Sequence, residues 1–245
     1  MGHRVTTLNV NTIEPAGNTL TIGASGDSVV LADDVKANTY KDAGGNTLFT
    51  SNGSGVLSSV NAGFYDAQKL LSTQTASNSA SISFTSGIDS TYKEYIFRFY
   101  NINPVTDGAT WSFQVNAVGA SGYNEIITST VFRAAHEASD NSTYFSYQTD
   151  EDQAQGTAFQ PMSESGVGAA ADENLSGELH IFNPSSTTYV KTFYARNIYH
   201  SQGEAAVDHY AAGYFNITAA IDDVQFKMNS GNFDGTIAMY GISKS

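Results

Sequence analysis

Thr110-Trp-Ser-Phe-Gln-Val-Asn-Ala-Val118 alternates by parity, with Trp111, Phe113 and Val115 on one side and Ser112, Gln114 and Asn116 on the other. Successive side chains of a β-strand point to opposite faces, so this stretch reads as a strand with one face in a core and one toward water. Leu179 and Ile181 repeat the pattern within Ser176–Phe182. Working outward, the same period or one close to it runs through 80–84, 94–102, 126–132, 189–195, 213–218, 224–228 and 236–242. About nine strands punctuated by Gly, Pro and Asn predict an antiparallel, jelly-roll-like β-sandwich over residues 80–245.

Composition agrees with strands and turns. The 245 residues include 14 Tyr, 14 Phe and 22 Gly, with only 14% charged residues, which disfavours long helices. The formal net charge of -13 opposes binding to phosphate backbones, and the eleven basic residues are scattered, so nucleic acid is not an expected partner. Without cysteine there is no disulfide framework, thiolate metal site or Cys nucleophile. No apolar run reaches signal-peptide or membrane-helix length, so membrane insertion is not expected. Export by lysis, or as part of an assembled particle, is the expectation for a protein working outside the cell.

Residues 1–65 have another texture. The pairs Leu8/Val10, Leu20/Ile22 and Val29/Leu31, with Ile13, mark short strands between Gly, Asn and Asp turns. Ala16–Gly26 resembles Gly44–Gly55 at an offset of 28, which predicts a repeated hairpin-like unit. Large side chains are too few to offset the entropy of ordering one copy, so this segment is read as a stem whose strands pair across identical chains in a trimer. Leu8, Val10, Ile13, Leu20 and Ile22 are its assembly residues. Phe64–Leu71 suggests one or two helical turns, and residues 66–79 are read as a linker, its Ser72–Ser79 part a polar connector. Residues 137–174, acidic and rich in Ala, Gly and Gln, predict long exposed loops.

The search for chemistry yields little. Asp150-Glu-Asp152 lacks the spacing and central glycine of a calcium loop, and the doublets Asp33/Asp34 and Asp222/Asp223 read as turns. His3, His136, His180, His200 and His209 show no zinc spacing; His180 reads as a satisfied strand residue, and His200 and His209 flank a short acidic loop. No Gly-x-Ser-x-Gly elbow or phosphate-cradling loop is present. No catalytic residue, metal or cofactor is expected. Tyrosine abundance remains, and the loop tyrosines Tyr123, Tyr144 and Tyr199 are the candidates for contact with a glycan or a partner subunit.

Several stretches carry a resemblance. Leu8-Asn-Val-Asn-Thr-Ile13 and Asn18–Asp27 resemble the N-terminal region of fibre-like virion proteins of marine tailed phages, cyanophages among them. Tyr92-Lys-Glu-Tyr-Ile-Phe-Arg-Phe-Tyr-Asn-Ile-Asn-Pro104, Thr128–Phe132, Gly213–Asn216 and Gly231–Ile237 are similar to a domain that recurs in the structural genes of such phages. The resemblance implies a non-enzymatic fibre or capsid decoration subunit at the virion surface. It would be a homotrimer attached to other capsid or tail proteins by its N-terminal segment, its sandwich facing outward toward a host surface glycan. The alternatives are a tail fibre receptor-binding protein or a free carbohydrate-binding module. The motifs are strand and turn sequences, so no family binding residue is carried over.

Overall fold

The computed structural model describes residues 39–42, 44–60, 68–164 and 166–242. The assembly residues expected from the sequence, Leu8, Val10, Ile13, Leu20 and Ile22, lie outside them, as does the first copy of the repeat. The chain divides into two units, Met1–Ala62 and Gly63–Ser245.

In the first unit β1 (Thr39–Lys41), β2 (Thr47–Ser51) and β3 (Leu57–Val60) form a three-stranded antiparallel sheet in that order. Its turns follow from the residues of the second repeat copy. Asp42 Oδ1 accepts from Asn46 N at 2.8 Å, and Gly45 supplies a φ of 82°. Asn52 Oδ1 accepts from Ser54 N at 2.8 Å between strands β2 and β3, again with glycines at positive φ, Gly53 and Gly55. Tyr40 opposes Phe49, their rings stacked at 4.5 Å, while Val56 and Leu57 are more than half exposed.

The second unit is the expected sandwich. A nine-stranded antiparallel sheet contains β4 (Gln68–Ser79), β6 (Glu94–Pro104), β8 (Ile127–Glu137), β9 (Thr143–Tyr147), β10 (Ala154–Gly156), β12 (Leu175–Phe182), β13 (Lys191–His200), β14 (Ala205–Phe215) and β16 (Phe233–Ile242). Its order is β10-β8-β14-β13-β12-β6-β16-β4, with β9 also on β8. Against it packs a four-stranded sheet, β11-β7-β15-β5, made from β5 (Ile82–Phe84), β7 (Trp111–Ala117), β11 (Gln160–Pro161) and β15 (Ile221–Met228).

Aromatic side chains interlock between the layers. Phe226 of β15 meets Phe97 and Phe99 of β6, each at 5.2 Å, and stacks on Trp111 at 5.8 Å. Phe113 of β7 meets Phe193 of β13 at 5.2 Å and Phe215 of β14 at 6.1 Å, both edge-on. These rings are almost wholly buried, as the parity of 110–118 requires. Gly213 lets β14 lie close to β8, because a Cβ there would stand 2.4 Å from Thr128 O.

Two segments differ from the sequence expectation. Residues 68–79 are not a linker, and 68–71 are not helical: they form β4, paired with β16 from Gln68↔Ile242 to Ser79↔Phe233. The run is polar because β4 ends the sheet and buries few side chains, so composition resembled a connector while the backbone pairs. Residues 137–174 are also not simply exposed loops. They contain β9, β10 and β11 and bury Gln160, Met162, Ser163 and Val167. Inward polar groups of the large sheet hold this segment: Asn197 Nδ2 donates to Met162 O at 3.0 Å, and His209 Nε2 lies 2.8 Å from Glu151 Oε2.

One core tyrosine makes the fold sensitive to alkali. Tyr95 is fully buried on β6, its hydroxyl accepting from Asp89 N at 2.9 Å and lying 3.1 Å from Asp89 O. Burial, the largest cause, pushes its phenol up to about 12. The unfolded chain releases this proton near the ordinary value of about 10, so folding binds it more tightly. The stabilisation is complete below pH 10 and is lost as the pH rises toward 12. Melting temperatures recorded across that window fall for the wild type, and fall less steeply for Tyr95→Phe.

Candidate binding face

The small sheet packs on one face of the large one. The opposite, outer face carries the alternate residues of each strand, and β13 shows it most simply: Phe193, Ala195, Asn197 and Tyr199 are buried, whereas Thr192, Tyr194, Arg196 and Ile198 are exposed. A solvent face is ordinarily polar, but here Phe145 is 72% exposed, Ile198 54%, Tyr147 51% and Tyr194 41%.

Cross-strand register arranges these residues in rows. Arg196 opposes Tyr210, Tyr210 opposes Phe132, and Phe132 opposes Tyr147, spanning β13, β14, β8 and β9. Asp208 takes two hydrogen bonds from Arg196, 3.0 Å from Nε and 2.8 Å from Nη2, and these hold the guanidinium above its ordinary basicity. The same guanidinium lies over the Tyr210 ring at 5.1 Å. Tyr210 stacks on Phe132 at 4.7 Å with the planes 10° apart, and Phe132 meets Phe145 at 5.4 Å. The result is a ridge of planar groups whose members fix one another.

Beside the ridge the next rows are small. Ser176 opposes Ile198, Ile198 opposes Asp208, and Asp208 opposes Ala134; then His200 opposes Ala206, which opposes His136. Two shallow depressions result on either side of Ile198, about 560 Å³ by Ser176 and His200 and about 260 Å³ by Ala134 and His136, with Ala206 common to both. The far wall is set by His200, 2.9 Å from Glu173 Oε1, and His136, 3.0 Å from Asp140 Oδ1. Nearer the sheet's middle, His180 stacks on Tyr194 at 4.3 Å and lies 2.5 Å from Glu94 Oε1. The sequence suggested a satisfied strand histidine, and this holds for Nδ1 only: the buried Nε2 makes no hydrogen bond, although Glu178 Oε1 lies 3.2 Å away. Burial, then Glu178 and Glu94, raises the Tyr194 phenol.

The three tyrosines expected to make contacts lie elsewhere. Tyr199 is not a loop residue open to ligand: it is 3% exposed on the inner face of β13, its hydroxyl accepting from Glu164 N at 3.2 Å, and burial raises its phenol. Strand β13 runs on to His200, five residues beyond the expected end, and its parity turns Tyr199 inward. Tyr144 sits on the same side under the Arg133 guanidinium at 4.8 Å. The structure thus brings Tyr144 and Tyr199 together in a recess of about 180 Å³ with Arg133 and Glu164, themselves an ion pair. Tyr123 is separate, half-buried with its ring 6.4 Å from Phe159. His200 and His209, on adjacent strands, face opposite sides of the sheet, His209 being fully buried.

The ridge was not singled out from sequence. Its available signal was Tyr194, Arg196 and Ile198 alternating with Phe193, Ala195 and Tyr199. Large side chains on both parities mean a second face that is not merely solvated. Among the described residues no three or more His, Asp or Glu side chains converge as metal ligands, and no helix is long and apolar enough to cross a membrane.

Fold and face together define an antiparallel β-sandwich with a rigid, aromatic-lined outer sheet face. Comparison with protein-family models, curated proteins and solved structures gives no match.

Proposed function

We propose that this chain is a non-enzymatic structural protein of a tailed-phage virion surface, a fibre or capsid decoration subunit whose sandwich presents a binding face to the host envelope. The observation that carries the reading is the outer face of the nine-stranded sheet, where exposed Phe145, Tyr147, Tyr194 and Ile198 stand on paired strands. Large apolar side chains on a rigid surface characterise recognition surfaces. The resemblance of 92–104 and 231–237 to marine phage structural proteins supplies the particle.

The first unit suits assembly. Its described sheet has three short strands and exposes Val56 and Leu57, a sheet that gains most of its stability from partner chains. The full chain is a trimer in this reading, and its cohesion depends on protein concentration. Light scattering of the full chain is expected to give a mass near three times 26.1 kDa that falls on dilution. A monomer of constant mass at all concentrations contradicts the assembly role.

A further inference from the structure

Resting on the proposed attachment role, we infer that the groove along Ile198 on the outer face is a binding site for an uncharged oligosaccharide, with the exposed ring of Phe145, backed by Phe132 and Tyr210, as its stacking platform. Three observations select this ligand class. The first is shape. The small side chains of Ser176, Ala206 and Ala134 lower the floor on β12, β14 and β8, Ile198 of β13 rises between the two depressions, and Phe145 of β9 stands at the end. Five strands at the usual spacing make this about 19 Å, room for several sugar rings in a row.

The second is chemistry. A pyranose ring presents a C–H face that packs on an aromatic plane and a rim of hydroxyls that both donate and accept. Phe145 offers such a plane, 72% exposed and braced from behind by Phe132, which Tyr210 and Arg196 hold in turn, so little side-chain entropy is lost on binding. Asp208, His136, His200 and Ser176 line the depressions with donors and acceptors suited to hydroxyls.

The third is exclusion. Strands β12, β13, β14 and β8 beneath the groove already pair on both sides, so a peptide could add a strand only along β9 at its end, beyond the two depressions. Its charges are mostly acidic: Asp208, Glu173, Asp140 and Glu204 stand near Arg196 and the two histidines. Phosphate backbones and acidic polysaccharides are therefore disfavoured relative to neutral glycans.

The test is calorimetric titration of the full chain with neutral hexasaccharides of glucose, galactose, mannose and N-acetylglucosamine, and with polygalacturonate and heparin. At least one neutral hexasaccharide is expected to saturate the protein. Phe145→Ala weakens that binding at least tenfold, whereas Tyr123→Ala leaves it unchanged. Phe145 is largely exposed, so its truncation leaves the fold intact, and unchanged melting of that variant verifies this. Binding of none of the neutral glycans, preference for the acidic ones, or affinity indifferent to Phe145→Ala overturns the inference. Glycan binding and virion position fail separately: a virion protein that binds no sugar loses this site only, and a sugar binder absent from virions loses the attachment role only.

Discussion

Phe226→Ala lowers the stability of the sandwich by about 3–5 kcal/mol, the range for deleting a wholly buried aromatic side chain. Phe226 lies within 6.4 Å, between ring centroids, of Phe84, Phe97, Phe99, Trp111 and Phe113 at once, so it bridges the two sheets rather than filling one of them. Neighbours anchored on paired strands cannot close fully around the missing ring, and the cavity adds its own cost to the lost transfer free energy. Against a usual total of about 5–15 kcal/mol, the loss brings the variant near the limit of folding. Urea denaturation followed by tryptophan fluorescence reports it directly, since Trp111 stacks on this ring. A midpoint unchanged from wild type would show that the two sheets do not depend on this contact.

His209→Ala is expected to cost about as much, roughly 3–5 kcal/mol, for an electrostatic reason. The His209 ring is fully buried and Nε2 lies 2.8 Å from Glu151, whose side chain is 11% exposed. Removing the imidazole strands the carboxylate in a nearly dry site. Glu151 must then hydrate by pulling its segment off the sheet, so amide exchange around 148–152 should accelerate together with the loss of stability. His209→Ala combined with Glu151→Ala is expected to cost clearly less than the two single losses added together. Additive costs in that double-mutant cycle would mean that the pair is not coupled.

The sandwich was legible because its core strands announce themselves. Trp111, Phe113 and Val115 enter the core as their parity requires, but the polar parity does not meet water as expected. Ser112 and Gln114 are buried, and Gln114 Nε2 donates to Glu125 O, Thr157 O and Ala158 O of the segments that cover it. What composition concealed were elements whose stability comes from register. Residues 68–79 are Ser, Thr, Gln and Asn in large part, yet they form a full edge strand because β16 supplies the ladder. The segment 137–174 reads as loop because its anchors, Asn197 and His209, lie far along the chain.

The exposed aromatic face was harder to read for the same reason. Phe132, Phe145, Arg196 and Tyr210 come from four strands, and only the β9-β8-β14-β13 pairing places them in contact. Tyr123, Tyr144 and Tyr199 lie outside this cluster, which is built on strands rather than loops. Tyr199 shows the converse: two further in-out alternations of β13 past Ala195 send it into the core.

Immunogold electron microscopy of purified virions, with antibody raised against residues 80–245, tests the central claim most directly. Gold on the particle surface, on head or tail, is the result this account predicts, the head marking a decoration subunit and the tail an attachment fibre. Virions that carry no gold while the same antibody recognises the free protein would contradict it.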